Sequence, residues 1–330
     1  MDYNKIMNSA VGIGALVGLY LGLNSFLNLF NRWALGIYGF KFPLIVTCAH
    51  LFFGFVALAP YQLLGKNKDI HQAALRETWP GIVMVGLFMA VNIALNNASL
   101  VGMVLSLNQV IRASIPCFTA VFAIGIEGRI PTRMQTAGLI PISLGVMVAV
   151  WEGSHTSSST SGIILCCIAT VSNALMMTIS GRVMSSKIDS MRLTFYTAPV
   201  SVMALLPFAL YRESSAFEEY YATNATPTIL LLVGGSIAAL AYNVVHNQMI
   251  AVMSATATTV LGNVKIVILI FASSVMFGET NDWGYKLVGG TALTLGGFFL
   301  YSYAGLRDKL EQMRASELKA EGKQDGNYRV

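Results

Sequence analysis

The chain has 330 residues, of which 55% are hydrophobic and only 11% charged. Soluble domains carry about 25% charged residues, so this composition excludes a water-soluble globular protein and indicates an integral membrane protein. The net charge of +5 does not call for nucleic acid, because most of the basic residues flank apolar segments, where membrane topology accounts for them. The N-terminal stretch MDYNKIMNSAVGIGALVG runs straight into the first apolar segment, with neither a small-residue cleavage site nor an Arg/Ser-rich transit pattern. Cys48, Cys117, Cys166 and Cys167 all fall inside apolar segments and read as small core residues, not as a disulfide frame or a metal site.

Hydropathy predicts ten spans, at 10–35, 42–64, 79–98, 101–126, 134–151, 162–182, 193–211, 227–250, 253–276 and 286–306. Each is near the ~20 residues that cross hydrocarbon. Residues 307–330 are a polar tail. Fifteen of the 21 lysines and arginines fall on the side of the two termini and three on the other side, which places both termini in the cytosol. The loop expected at 212–226, between the seventh and eighth spans, then faces the lumen or exterior; it is acidic and carries the sequon Asn224-Ala225-Thr226, close against the next span.

The ninth span holds one full charge, Lys265, 12 residues from Met253 and 12 from Phe277, with no acidic residue between them. A charge at that depth costs about 2.5–3.5 kcal/mol on insertion scales and marks a functional site by default. Arg112 sits about as deep in the fourth span. Registering Glu127 on Glu279 places Gly138 on Gly290 and Gly145 on Gly297; Arg112 lies 15 residues before its glutamate and Lys265 lies 14 before its own. The two segments read as repeats. With five spans in each half, the second half enters the membrane inverted. The fold class expected is therefore all-α integral membrane, with ten transmembrane helices as two inverted five-helix repeats, 1–152 and 162–306, followed by the tail. Such repeats carry a midplane site at their interface, and alternating access is the rocking of one half against the other.

Two central cations without an intramembrane acid call for an anion. A lysine supplies a point charge and an arginine a bidentate fork for phosphate. Asn108 and Gln109, one turn before Arg112, and Asn263, two residues before Lys265, can add hydrogen bonds. So can Tyr196 and the polar face formed by Tyr242, Asn243, His246 and Asn247. For each of these a helix–helix hydrogen bond is as good a reading as ligand contact. Arg32, beside Trp33, reads as an interfacial anchor or a site residue, and His50 as a structural group or a proton-coupling site. No phosphate-binding loop, dinucleotide fingerprint, metal-spaced cluster or nucleophile elbow is present. The sequence therefore predicts a transporter with no catalytic residues, no metal and no cofactor. Its partners are an anionic small molecule and the lipid bilayer, with no nucleic acid. A homodimer is compatible with it, and the oligomeric state stays open.

These motifs resemble the triose-phosphate/nucleotide-sugar translocator family of the drug/metabolite transporter superfamily, over about residues 11–306. The resembling segments are Asn31-Arg32, Phe42-Pro43 with Thr47-Cys48-Ala49-His50, SLNQVIRASIPCFTAVFA at 106–123, FYTAP at 195–199, and Leu261-Gly262-Asn263-Val264-Lys265. The resemblance implies strict antiport of a phosphorylated or nucleotide-linked sugar, with the substrate phosphate near the lysine of the ninth helix. The departures favour one branch. Plastid phosphate translocators carry Lys-Arg in the ninth helix, where Lys265 is here followed by Ile266, and Tyr-Asn-Gln where this chain has His246-Asn247-Gln248. Carriers of GDP-mannose read FYNN where this chain has FYTA. The remaining similarity is to carriers of UDP-linked sugars, although Ile266 stands where threonine is usual there. The resemblance thus implies exchange of a UDP-sugar for a nucleoside monophosphate in a Golgi or ER membrane. The alternative is a plastid-envelope carrier exchanging phosphorylated sugars, triose phosphate or phosphoenolpyruvate for inorganic phosphate.

Overall fold

The computed structural model describes residues 10–64, 67–128, 130–153, 159–184, 188–253, 255, 258–259, 261–262 and 284–326. Among the described residues every regular element is helical. In chain order they are α1 (Ala10–Arg32), which continues into a π-helical turn (Trp33–Ile37), α2 (Pro43–Leu63), α3 (Asn67–Gly102), α4 (Leu105–Arg112), α5 (Ile115–Glu127), α6 (Arg133–Gly153), α7 (Thr160–Met184), α8 (Ser190–Met253) and α9 (Tyr285–Gly326). Among the described residues six segments are long and apolar enough to cross a membrane. One of them, α8, has 64 residues, too many for a single crossing of hydrocarbon. The ninth expected span, 253–276, lies almost wholly outside the described residues, and with it Lys265 and Asn263.

Two boundaries differ from the sequence expectation, each for a local reason. The fourth span is not one helix. The helix of the third span runs on to Gly102; the fourth begins at Leu105 and breaks after Arg112. At the break, Ala113 N–H donates to the Gln109 and Val110 carbonyls and Ser114 N–H to that of Ile111, so the helix tightens into a turn. Pro116 then opens α5 in its first turn, where its missing N–H costs nothing. Gly128 closes α5 in the left-handed region, φ 68°, which a residue with a Cβ adopts only under strain.

The second difference is the expected 212–226 loop, which is helical as far as Thr223. The non-helical residue is Asn224 (φ −129°, ψ 38°). Pro227 explains the position, because its ring clashes with the carbonyl four residues back, that of Thr223. At the kink Asn224 Nδ2 donates to Tyr220 O (3.2 Å) and Thr223 Oγ1 (2.8 Å). The kink divides α8 into two limbs, residues 190–223 and 225–253.

The largest helix pairings are α6 on α9, α2 on α8 and α3 on α7, each joining an element before residue 154 to one after residue 159. The α6–α9 contact is set by glycine. A Cβ on Gly145 would run into the Gly290 carbonyl and Thr294, and one on Gly138 would lie 2.7 Å from the backbone nitrogen of Tyr301. A Cβ on Gly297 would lie 2.7 Å from Ile142 N and 2.8 Å from Gly138 O. Close approach of this kind is what small residues provide where lipid supplies no hydrophobic drive between helices.

At the end of the molecule where α2 begins, Gly39 (φ 87°) turns the chain and Pro43 starts the helix. Phe42, at the N-cap, offers no side-chain acceptor. The acceptor comes from α8: Glu213 Oε1 takes the N–H of Leu44 (3.0 Å) and Oε2 that of Ile45 (2.9 Å). Phe40, Phe42, Phe217 and Tyr220 pack edge-to-face around this contact.

Candidate functional site

A cavity lies between α1, α2, α3, α4, α7 and both limbs of α8, with Ile115 of α5 at its edge. Among the described residues that line it, Arg112 is the only charged side chain; the other polar groups are largely amides, including nine asparagines. Arg112 ends α4, so the break in the fourth span sets its position. Its Nη1 donates to Asn92 Oδ1 (3.2 Å) and Asn96 Oδ1 (3.1 Å), residues four apart on one face of α3. Asn92 Nδ2 in turn donates to Asn173 Oδ1 on α7 (3.2 Å), which ties the arginine's support to the second half of the chain. Amide oxygens solvate a guanidinium without cancelling its charge. The cation is held in place and stays receptive to an anion.

In the same cavity three rings group together. The Tyr20 ring lies 6.1 Å from that of Tyr242 at an interplanar angle of 21°, and 5.7 Å from that of His246 at 28°. The Tyr242 hydroxyl is 3.4 Å from His246 Nδ1 and accepts from Asn24 Nδ2 (3.4 Å). Gly262 packs against the Tyr20 hydroxyl, where a Cβ would lie 2.8 Å away. Tyr20, Asn24, Asn28 and Asn31 recur at spacings of four, four and three and form one polar stripe of α1 facing the cavity.

Of the residues singled out in the sequence, Arg112, Gln109, Asn243, His246 and Asn247 line this cavity together with Tyr242. Asn247 also donates to Thr194 on the first limb of α8 (2.9 Å). Asn108 does not line it. It is fully buried behind Arg112, donating to Ser99 Oγ (2.9 Å), Asn96 Oδ1 (3.3 Å) and Cys166 Sγ (3.4 Å), so it braces the asparagine that holds the arginine. Tyr196 does not line the cavity and lies in an apolar cluster beside Phe195. Arg32 donates to the Leu100 carbonyl (3.1 Å), in the last turn of α3, where a cation complements the helix dipole. The sequence reading omitted Asn92, Asn96, Asn173 and the α1 stripe. The stripe and the Asn92/Asn96 pair both have helical spacing and could have been found from it, whereas nothing local connects Asn92 to a partner 81 residues away.

Together the fold and the site define a polytopic helical membrane protein with a central cavity, walled by both halves of the chain and carrying a cation. Residues 11–302 match the model of the Triose-phosphate Transporter family, and the chain belongs to that family. It is a transporter, not an enzyme. A probable sugar phosphate/phosphate translocator of Arabidopsis thaliana is 30% identical, over 89% of this chain and 96% of its own length. A UDP-uronic acid transporter of the same plant is 26% identical, over 88% of this chain and 94% of its own. A solved crystal structure shares the fold with a TM-score of 0.59 at 14% identity, covering 91% of this chain and 99% of its own.

Proposed function

We propose that the protein is an antiporter that exchanges a nucleotide-linked sugar, of the UDP type, for a nucleoside monophosphate by alternating access. One observation carries the reading. A single cavity combines a guanidinium held by neutral amides, a three-ring aromatic group and an otherwise amide-rich lining. These are the groups that recognise, in turn, a phosphate, a flat base and the hydroxyls of a sugar. Lys265 and Asn263, on the ninth expected span, are assigned to the same site as the second cation and its neighbour. The two-fold relation of the halves finds support in the α6–α9 contact: Gly138 meets Gly297 while Gly145 meets Gly290, and those are the glycines that the repeat register places in equivalent positions. Two residues that each meet the other's equivalent are the mark of a two-fold axis.

Exchange follows from the charge. An empty cavity with an uncompensated cation is costly to carry through the apolar midplane, and a bound anion lowers that cost on either side. The membrane assigned is Golgi or ER, with both termini cytosolic. The second reading, exchange of sugar phosphates for inorganic phosphate, is favoured by the name of the 30% identical relative. Purified protein in liposomes separates the two. Uptake of labelled UDP-sugar driven by internal UMP supports the first reading. Uptake driven by internal phosphate with UMP inert supports the second, and rapid efflux with no counter-substrate refutes exchange altogether.

A further inference from the structure

The cation dictates which way the amides around it face. A guanidinium has donors and no acceptor, so an amide bonded to it must turn its oxygen inward and its N–H groups away. Asn92 obeys this: its Oδ1 accepts from Arg112, which leaves its Nδ2 to donate to Asn173 Oδ1 (3.2 Å). The same sense passes to Asn173. Its oxygen is spent on Asn92, and what remains is a donor, Nδ2. Asn96 is set likewise, its Oδ1 accepting from both Arg112 (3.1 Å) and Asn108 (3.3 Å).

Of these amides, only that of Asn173 comes from the second half of the chain. Asn173 lines the cavity on one face of α7 with Met176, Met177 and Ser180, at offsets of three, four and seven residues. It is 8% exposed. Among the described residues its Nδ2 has no hydrogen-bond partner, yet it is not sealed off as the unpaired amide of Gln62 is, so it keeps contact with the space the residue lines. Its neighbours on that face do not take it up. The methionines carry only a weak thioether acceptor, and Ser180 Oγ donates to its own helix at Met176 O (2.7 Å). A largely buried donor whose oxygen is already spent calls for an acceptor, and the cavity's contents can supply one. One side chain, Asn92, stands between this donor and the guanidinium and is bonded to both. A phosphate suits such a pair, because its charge answers the cation and its several oxygens accept from more than one direction.

We propose that Asn173 is an anion-binding residue of the cavity, donating from Nδ2 to the phosphate group held by Arg112, so that the anion is gripped from both halves of the chain. This rests on the reading that the cargo is phosphorylated, which the two exchanges considered above share. The test is thermal stabilisation of full-length purified protein by UMP, UDP-galactose and glucose 6-phosphate. Asn173→Ala is expected to weaken each ligand that the wild type binds by about 10-fold or more. A residue that merely braced Asn92 would also cause a loss, so the deciding measurement is made in Asn92→Ala protein, where that route is already cut. There Asn173→Ala is expected to bring a further loss of about 10-fold or more; a further loss below about 2-fold shows that Asn173 acts only through Asn92 and overturns the proposal. Asn173→Leu keeps the volume without the amide and is expected to match the alanine variant, so a folding defect in one leaves the other to decide. A wild type stabilised by ligand whose affinity neither variant changes overturns the assignment of Asn173 alone. A wild type stabilised by none of the three refutes the phosphorylated-cargo reading, and the assignment falls with it.

Discussion

Replacing Arg112 by methionine tests the centre of the site. Among the described residues the guanidinium makes two hydrogen bonds, to Asn92 and Asn96, and both acceptors are neutral. Losing them costs stability, but the change also removes a charge from a poorly hydrated cavity, and the two effects oppose each other. The empty protein is therefore expected to keep its expression level and to unfold within a few degrees of wild type. Ligand binding should behave differently. A guanidinium forking onto a phosphate makes two charge-assisted hydrogen bonds of about 1.5–3 kcal/mol each, or roughly 3–6 kcal/mol in all. At 1.4 kcal/mol per factor of ten, affinity should fall by about two to four orders of magnitude. Thermal unfolding in detergent, with and without UMP or UDP-galactose, reads both quantities in one experiment. Arg112→Lys keeps the charge but not the fork and should lie between. A methionine variant that retains the ligand-dependent shift refutes the assignment of the phosphate to Arg112, and one that fails to fold shows the guanidinium to be a strut between α3 and α4.

Three further outcomes follow from the packing and the charges. Glu213→Ala leaves the N–H groups of Leu44 and Ile45 without their acceptor at a helix start where Phe42 offers no substitute, and should destabilise the protein by about 2–4 kcal/mol, with Glu213→Gln intermediate; thermal midpoints check it, and an unchanged midpoint for both variants removes the role of this contact. Gly297→Ala should lower the midpoint, because its Cβ would meet Ile142 N and the Gly138 carbonyl, while Gly296→Ala, whose Cβ meets nothing within 4 Å, should leave it unchanged or slightly raised. Asn92→Asp sets a carboxylate about where an amide oxygen lies 3.2 Å from the guanidinium, so it should raise the stability of the empty protein and abolish stabilisation by UMP, a pair of effects visible in the same unfolding assay.

Much of this was legible in the sequence because a bilayer makes polar residues conspicuous. Arg112, Gln109, Asn243, His246 and Asn247 were found as polar interruptions of apolar spans, and the structure brings all five to one cavity. Tyr196 shows the limit of that rule. A tyrosine in an apolar span has an apolar body, and here the body packs with Phe195 and does not line the cavity. Asn108 shows another: one position from a site residue on a helix is about 100° around the axis, so it faces the protein while Gln109 faces the cavity. The break after Arg112 and the kink at Asn224 were foreshadowed by Pro116 and Pro227, but a hydropathy window averages a single proline away. The partnership of Asn92 with Asn173 had no local trace at all, because it depends on how two helices far apart in the chain meet.

That partnership bears on why the cation sits on amides. A carboxylate at Asn92 or Asn96 would be the ordinary neutraliser of a buried arginine, and in hydrocarbon it would relieve most of the charge's cost. It would also remove the reason to bind an anion, since cargo would then have to displace an internal ion pair. Among the described residues, amides orient the guanidinium and leave its charge unmet. In the exchange proposed above, the remaining cost is borne by the empty state, which is the state an exchanger must keep from crossing. Because Asn92 is also bonded to Asn173 on α7, the element that orients the cation spans both halves of the chain. Under the proposed alternating access, an anion arriving at Arg112 would therefore act on a contact between the halves, and cargo binding and their relative movement would meet at the same side chain.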